Sequence, residues 1–334
     1  LIRNMFQDAR QRTVAISVWI MSFSLGGMLG PLVGGLLLEW FWWGSVFLIA
    51  VPMMVLLLAV GPFLLPEYKD PNPGRPDVTS AAMSLAAILA LIYGLKRVAQ
   101  DGPGIVALAA VAAGLAIGAL FVRRQLRLDE PFIDLRLFRV PRFTAALATY
   151  GLTILMLFGA FLFLPQFLQL VLGMSPFDAG LWALPGAAAF VVGSLVTPRL
   201  ALRVPLARLL SGGLALSAIG FLMIVRFDAG TGWVAYAVAT SVFSLCTAPV
   251  FTLTTDLIIG AAPPERAGAA SAISETCAEF GGALGIAVFG SIGVAVFRAT
   301  MPDVVPPGVA ADAATAARTT LGGALELAGQ LGPE

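Results

Sequence analysis

Nine long apolar stretches follow one another along this chain, and they limit its fold more than any other feature. Eight of them carry no charged residue: Thr13–Leu38, Phe41–Pro66, Val78–Leu95, Gly102–Val122, Phe143–Phe177, Ala179–Pro198, Leu209–Val225 and Ala229–Thr255. The ninth, Ala267–Phe297, is apolar except for two glutamates. A helix that spans a bilayer needs about 20 apolar residues, and helices satisfy their own backbone hydrogen bonds in lipid. The sequence therefore predicts an all-α integral membrane protein with about nine transmembrane helices.

The composition agrees with this prediction and excludes several classes of protein. Only 12% of the residues are charged, whereas soluble domains average about 25%. The net charge of +1 argues against a protein that binds nucleic acid. The chain has no histidine, which excludes histidine-based catalytic triads and zinc sites. Cys246 and Cys277 stand in apolar surroundings, so we interpret them as small packing residues and not as a disulfide or a metal pair.

The distribution of basic residues predicts the orientation in the membrane. If the chain begins on the cytoplasmic side, 15 of its 20 lysines and arginines lie in cytoplasmic segments. The other five are Lys96, Arg97, Arg226, Arg298 and Arg318. Cytoplasmic loops carry an excess of basic residues, so this orientation is favoured. The first residues, LIRNMFQDARQR, look like a loop between helices and lack an initiator methionine, so we expect a fragment of a longer protein.

Glycines recur every four residues in the first apolar stretch. Gly26, Gly30 and Gly34 form one smooth stripe, and Gly35 widens it. In lipid, small residues let helix backbones approach closely. Pro31 removes one backbone donor and favours a bend. Two interpretations stay open: ordinary packing, as in any membrane protein, or a contact at which this helix bends or slides against a partner.

Two carboxylates interrupt the ninth apolar stretch. Glu275 and Glu279 are four residues apart, so they share a face of the helix. At about 1.5 Å per residue they lie roughly 12 and 18 Å from Ala267. Low dielectric disfavours the charged form of a carboxyl group, so such a group can hold a proton and release it when a cation arrives. Alternatively, Glu275 lies at the headgroup level and Glu279 only bonds to a neighbouring helix.

Further candidate residues flank the outer junction between the fifth and sixth stretches. The candidates for a substrate cavity are Gln166, Gln169, Phe163, Phe167 and Trp182. Amides within lipid need partners, and aromatic rings attract quaternary ammonium groups, although most phenylalanines in such a chain simply face lipid. Asp178 follows a proline, so it either belongs to a helix cap or attracts cations at an outer gate.

Several motifs together resemble one transporter family. The string Gly26-x-x-x-Gly30-Pro31-x-x-Gly34-Gly35 resembles the antiporter motif of the major facilitator superfamily, which its drug exporters carry on their fifth helix. Four stretches resemble the fourteen-span drug:proton antiporters, especially exporters of quaternary ammonium antiseptics. They are WWGSVFLIAVP (Trp42–Pro52), LPEYKDPNPGRPD (Leu65–Asp77), LPQFLQLVLGMSPFDAGLWALPG (Leu164–Gly186) and ERAGAASAISETCAEFGGALGIAVFGSI (Glu265–Ile292). The resemblance covers nearly the whole chain in the same order.

The resemblance implies a domain organisation in helical bundles. The apolar stretches would be family helices five to thirteen, so the first four helices and the last would lie outside this chain. Residues 1–66 would hold the last two helices of the amino-terminal bundle, 67–77 a cytoplasmic linker, 78–122 an extra helix pair, 123–142 a basic cytoplasmic loop, 143–297 five helices of the carboxy-terminal bundle, and 298–334 an outer loop. The basic loop either lies on the inner membrane surface or is simply solvated.

The resemblance also implies a function. A protein of this kind is a proton-coupled multidrug efflux antiporter, not an enzyme, in the bacterial cytoplasmic membrane. It exports amphipathic, mainly cationic compounds such as antiseptics, dyes and some antibiotics. Its expected partners are these small molecules, protons and the lipid bilayer, with no cofactor, and it is expected to be a monomer. Export of an endogenous metabolite with the same fold and coupling is the alternative.

Overall fold

The computed structural model describes residues 9–64, 77–102, 104–128, 131, 133, 135–261, 267–300 and seven residues between 314 and 329. Most of the predicted linker 67–77 and of the predicted outer loop 298–334 lies outside this part. The helices are α1 (Ala9–Trp40), α2 (Ser45–Leu48), α3 (Ala50–Leu64), α4 (Val78–Asp101), α5 (Ile105–Gln125), α6 (Pro141–Gln166), α7 (Pro176–Ala201), α8 (Leu206–Ile224), α9 (Trp233–Ala261) and α10 (Ala267–Thr300). A 3₁₀ turn, Leu135–Arg139, precedes α6, and a π-helical turn, Phe167–Val171, continues it.

The helices confirm the predicted all-α membrane fold. Eight helical segments of the described residues are long and apolar enough to cross a membrane, judged by length and composition. The long helix α1 coincides with the first predicted stretch, and its part Leu25–Trp40 is also apolar. Each of the nine predicted stretches thus corresponds to a helix or to a pair of consecutive helices.

The predicted fifth stretch, Phe143–Phe177, extends too far. The helix and its π-helical turn end at Val171, and α7 begins only at Pro176. Gly173 has a positive φ of 66°, which reverses the chain there, and the Ser175 side chain caps the new helix. The turn formed by residues 172–175 contains no charged residue, so a search for charge-free stretches does not detect it.

The described helices form two compact units. The first unit contains α1–α3, the end of α6 from Phe163 onwards, and α7–α9. The second unit contains α4, α5, α6 as far as Leu162, and α10. The assignment of these helices to an amino-terminal bundle, an extra pair and a carboxy-terminal bundle stays a prediction.

Glycines bring the helices of the first unit together. A Cβ atom added at Gly193 of α7 would lie 2.6 Å from the Leu245 carbonyl oxygen on α9. On α8, an added Cβ at Gly220 would lie 2.5 Å from the backbone nitrogen of Phe243. Real Cβ atoms do not come so close to backbone atoms, so these contacts require glycine. Burying apolar side chains gives membrane helices little reason to associate, so close packing of this kind stabilises their association instead.

The second unit uses the same type of contact between α6 and α10. An added Cβ at Gly281 would lie 3.0 Å from the Gly151 carbonyl oxygen, and Gly285 packs just as closely against the Leu155 carbonyl. Phenylalanine rings fill the space that other glycines leave: Phe289 covers Gly159, and Phe158 covers Gly282. The small-residue run that resembles the family in the ninth stretch is therefore a packing surface for α6.

A polar cluster joins the helix hairpin of α4 and α5. Asp77 caps α4 by accepting a hydrogen bond of 3.0 Å from the Ser80 backbone N–H, and its carboxylate forms an ion pair with Arg124 at 3.1 Å. The hydrogen bonds from Ser80, and then the Arg124 guanidinium, lower the pKa of Asp77 from 3.8 to about 2. The start of α4 and the end of α5 are thus tied together at one end of the hairpin.

This ion pair makes the stability of the hairpin depend on pH. Because folding lowers the pKa of Asp77, the stabilisation is present above about pH 4 and is lost as the pH falls toward 2. Asp77→Asn keeps a capping side chain but removes the charge, so we expect a lower melting temperature than the wild type at neutral pH. The difference should shrink as the pH falls through this range.

Thermal unfolding of the purified protein in detergent, followed at several pH values, tests this expectation. Asp77→Ala is the matched variant, because it also removes the cap and should lower the melting temperature further at every pH. A gap between Asp77→Asn and wild type that stays constant from neutral pH to about pH 3 would contradict the assigned ion pair.

Candidate functional site

The glycine motif of α1 contacts the first turns of α7. Gly35 is buried, and an added Cβ there would lie 2.5 Å from the Pro176 carbonyl oxygen. From the other side, an added Cβ at Gly180 would lie 2.9 Å from the Pro31 carbonyl oxygen. The two glycines therefore let the backbones of α1 and α7 approach each other from both sides. Gly180 was not singled out from the sequence, although the small pair Ala179-Gly180 after a helix cap was a usable signal.

The other glycines of the motif lie outside this close contact. For Gly26, Gly30 and Gly34, the described part of the chain places no atom within 4 Å of an added Cβ. Gly26 and Gly30 are also exposed in this part. The contact observed here thus uses the carboxyl end of the motif, from Pro31 to Gly35. A partner for the rest of the stripe stays a prediction.

An aromatic cluster packs at the turn between α6 and α7. Phe167 of the π-helical turn stacks on Phe227, with ring centroids 5.7 Å apart, and Phe227 stacks on Tyr236 at 5.4 Å. Trp182 of α7 packs against the same Tyr236 at 5.6 Å. Leu168 completes the cluster and is 2% exposed. A π-helical turn is often found at functional sites, and here it directs Phe167 and Leu168 into the cluster.

This arrangement separates the candidates for the substrate cavity. Phe167 and Trp182 lie in the packed aromatic cluster, where their neighbours cover part of each ring. Phe163 is 40% exposed, Gln166 is exposed, and Gln169 is half-buried. Sequence reasoning missed Phe227 and Tyr236, because they flank a different loop and only the fold brings them here. Substrate contact by any of these residues stays a prediction.

Asp178 takes part in the cap of α7. The Ser175 side chain accepts a hydrogen bond of 3.1 Å from the Asp178 backbone N–H and donates one of 3.0 Å to the Asp178 carboxylate. The carboxylate also lies in the first turn of the helix, where negative charge is favourable. The capping alternative of the sequence analysis is therefore the observed one. Asp178 is exposed as well, and its role at an outer gate stays a prediction.

Glu275 and Glu279 lie on the face of α10 that is turned away from its packing contacts. The buried residues of this helix include Ala270, Ile273, Ser274, Gly281, Gly282 and Gly285. The exposed ones include Ala272, Thr276, Ala283 and Ile286 together with both glutamates, at spacings of three and four. Within the described part of the chain, neither carboxylate accepts a hydrogen bond. The helix thus has one face packed on α4 and α6 and one exposed acidic face.

Chemically, the acidic face can bind a cation or a proton, since carboxylates supply only acceptor oxygens once ionised. No group of three or more metal-ligating side chains occurs among the described residues. The site elements are thus an acidic face on α10 in one unit, and the α1–α7 contact and the aromatic cluster in the other.

Comparison with known proteins identifies the family. The family model described as "Major Facilitator Superfamily" matches residues 1–286. The chain belongs to the major facilitator superfamily. The resemblance inferred from the glycine motif and the four other stretches is thereby confirmed at the level of the superfamily. Together with the apolar helices and the bacterial relatives described next, membership makes this chain a multi-pass protein of the bacterial inner membrane.

Several members of the superfamily are similar to this chain over most of its length. The "Multidrug efflux pump LfrA" of Mycolicibacterium smegmatis is 42% identical over 99% of this chain. The "Methyl viologen resistance protein SmvA" of Salmonella typhimurium is 34% identical over 99% of it. The "Tetracenomycin C resistance and export protein" of Streptomyces glaucescens is 30% identical over 87% of it. The chain spans 65%, 67% and 54% of the lengths of these relatives, respectively.

The α1–α7 contact gives a testable expectation. Gly180→Leu should force the two backbones apart and lower the free energy of unfolding by about 1–3 kcal/mol, the usual cost of overpacking. Gly212→Leu on α8 is the control, because an added Cβ there meets no described atom within 4 Å. Melting temperatures of the two variants in detergent make the comparison. Equal melting temperatures would mean that Gly180 is not required for the contact.

Proposed function

We propose that the protein is a proton-coupled efflux antiporter for amphipathic, mainly cationic compounds. The observation that carries this proposal is the pair of glutamates on the exposed face of α10, within a segment apolar enough to span the membrane. A charged side chain at the centre of a spanning helix costs about 2.5–3.5 kcal/mol by insertion measurements. Such a pair therefore suggests a task that requires negative charge at this depth.

Antiport is a task of this kind. A site that binds either a proton or a cation, but not both, exchanges one for the other across the membrane when access alternates between its two sides. Glu275 and Glu279 share one face of α10, so the two carboxyl groups can belong to a single site of this kind. We assign Glu279, the deeper of the two, as the principal exchange group and Glu275 as its partner.

The names of two relatives support the proposal that the protein exports its substrates and that these substrates are cations. LfrA is named as a multidrug efflux pump, and SmvA is named as a methyl viologen resistance protein. Methyl viologen carries two quaternary nitrogen cations, which an acidic site can attract and aromatic rings can contact. Export of an endogenous metabolite with the same coupling is the second candidate, and a panel of substrates separates the two.

The experiment measures efflux from cells that express the protein and are loaded with a fluorescent lipophilic cation. Wild type should export the dye, and an uncoupler that collapses the proton gradient should stop it. Glu279→Gln should reduce efflux to the level of cells without the protein, because an amide cannot exchange a proton for a cation. Glu275→Gln should weaken efflux partially.

The matched control is Glu39→Gln, which removes an exposed carboxylate at the end of α1. It should leave efflux unchanged, and membrane fractions should contain equal amounts of all variants. Uncoupler-sensitive efflux that survives in the double variant Glu275→Gln/Glu279→Gln would place proton coupling on other residues. If no cation is exported at all while the protein is present in the membrane, the metabolite exporter becomes the better proposal.

A further inference from the structure

The loop between α5 and α6 is fixed to the hairpin by a buried amide. Gln125, the last residue of α5, is 2% exposed. Its side-chain NH₂ group donates a hydrogen bond of 2.6 Å to the Ser80 hydroxyl, and its carbonyl oxygen accepts one of 3.1 Å from the Ile133 backbone N–H. Arg124 donates to the same hydroxyl at 3.2 Å. A buried amide with both ends bonded holds Ile133 against the hairpin, because breaking either bond leaves a buried polar group unsatisfied.

The 3₁₀ turn after this point is packed against the start of α6. Leu137 is 4% exposed and anchors the turn. The Phe138 ring contacts the fully buried Phe143 edge to face, with centroids 5.5 Å apart, and the Phe138 carbonyl accepts a hydrogen bond of 2.8 Å from Thr144. The turn is therefore a fixed surface feature.

The exposed side chains at the end of this turn and the start of α6 are both basic and apolar. Arg139 and Arg142 are exposed, while Phe138 and Val140 are 41% and 38% exposed. The turn lies where α6 begins at Pro141, and α6 is one of the segments able to cross the membrane. The exposed side chains thus lie next to the end of a membrane-spanning segment. The distribution of basic residues predicts that this end is at the cytoplasmic surface of the membrane.

We propose that Phe138, Arg139, Val140 and Arg142 form a binding site for an anionic phospholipid headgroup. We name these four residues the headgroup patch. A guanidinium group binds phosphate through its charge and through paired hydrogen bonds, and exposed apolar side chains can insert among the upper acyl carbons. Because the turn is held in place before the lipid arrives, little ordering is needed on binding. The proposal concerns the loop alone and does not depend on the transport activity.

The test counts phospholipids that stay bound to the purified protein in native mass spectra. Phosphatidylglycerol and phosphatidylcholine are added separately at equal concentrations. Wild type should retain phosphatidylglycerol in preference to phosphatidylcholine. The double variant Arg139→Gln/Arg142→Gln should bind phosphatidylglycerol roughly 10- to 30-fold more weakly, as expected for the loss of two basic groups at a lipid surface.

The control double variant is Lys96→Gln/Arg226→Gln, which removes two exposed basic groups on the predicted outer side. It loses the same net charge, so a purely nonspecific attraction would weaken phosphatidylglycerol binding equally in both variants. Melting temperatures close to that of the wild type confirm that both variants fold. A patch variant that binds phosphatidylglycerol no more weakly than the control, or a wild type that binds both lipids alike, would overturn the proposal.

Discussion

The lipid surroundings impose the constraint on which the rest of the structure depends. Lipid solvates apolar side chains as well as a protein core does, so burying leucine gives two membrane helices little reason to associate. What remains is close contact between backbones, and only glycine permits it at the distances observed. Gly193 against Leu245, Gly285 against Leu155 and Gly35 against Pro176 join three different helix pairs by this one device.

The same constraint governs the polar side chains inside the helices. Threonines within the spans donate to the carbonyl four residues earlier: Thr153 to Thr149, Thr197 to Gly193 and Thr254 to Val250, each at 2.7 Å. Such a hydroxyl is satisfied by its own helix and needs no partner elsewhere. Polar groups of this kind therefore allow helices to pack without fixing which helix is the neighbour. The choice of neighbouring helix depends instead on the glycine contacts and, between α8 and α9, on a hydrogen bond of 3.0 Å from the Thr247 hydroxyl to the Ser217 hydroxyl.

The sequence predicts the features that depend on local rules. Each of the nine long apolar stretches corresponds to helix, and eight helical segments of the described residues are long and apolar enough to span a membrane. Length and charge largely decide whether a segment can span lipid. The glycine motif of α1 likewise pointed to a close contact. The sequence did not predict Gly180 as the opposite half of that contact, nor Phe227 and Tyr236 in the aromatic cluster. These contacts form between segments that are far apart in the sequence. A local sequence pattern does not show which distant segments pack together.

Two further features were missed although part of each has a local sequence signal. The turn at Gly173 was missed because it has no charged residue, although a glycine between two apolar runs and the Ser175-Pro176 pair marked it. The hairpin cluster of Asp77 and Arg124 was also missed, since 47 positions separate the two residues. A helix cap can be predicted from residues that are adjacent in the sequence. Predicting an ion pair across a hairpin also requires knowing how the two helices are aligned.

The acidic residues of the described chain differ in whether nearby residues of their own segment satisfy them by hydrogen bonds. Asp77, the cap of α4, accepts a hydrogen bond from the Ser80 backbone N–H in the first turn of that helix. The Asp178 carboxylate accepts one from the hydroxyl of Ser175, which caps α7. Asp228 accepts one of 2.9 Å from the Gly230 N–H in the turn between α8 and α9. Within the described part of the chain, Glu275 and Glu279 accept no hydrogen bond. Glu39 and Asp256 likewise accept none, but Glu275 and Glu279 share one face of a single segment that is able to span the membrane. Under the proposed function, the missing partner is the transported cation or the proton, and a permanent local partner would abolish the exchange.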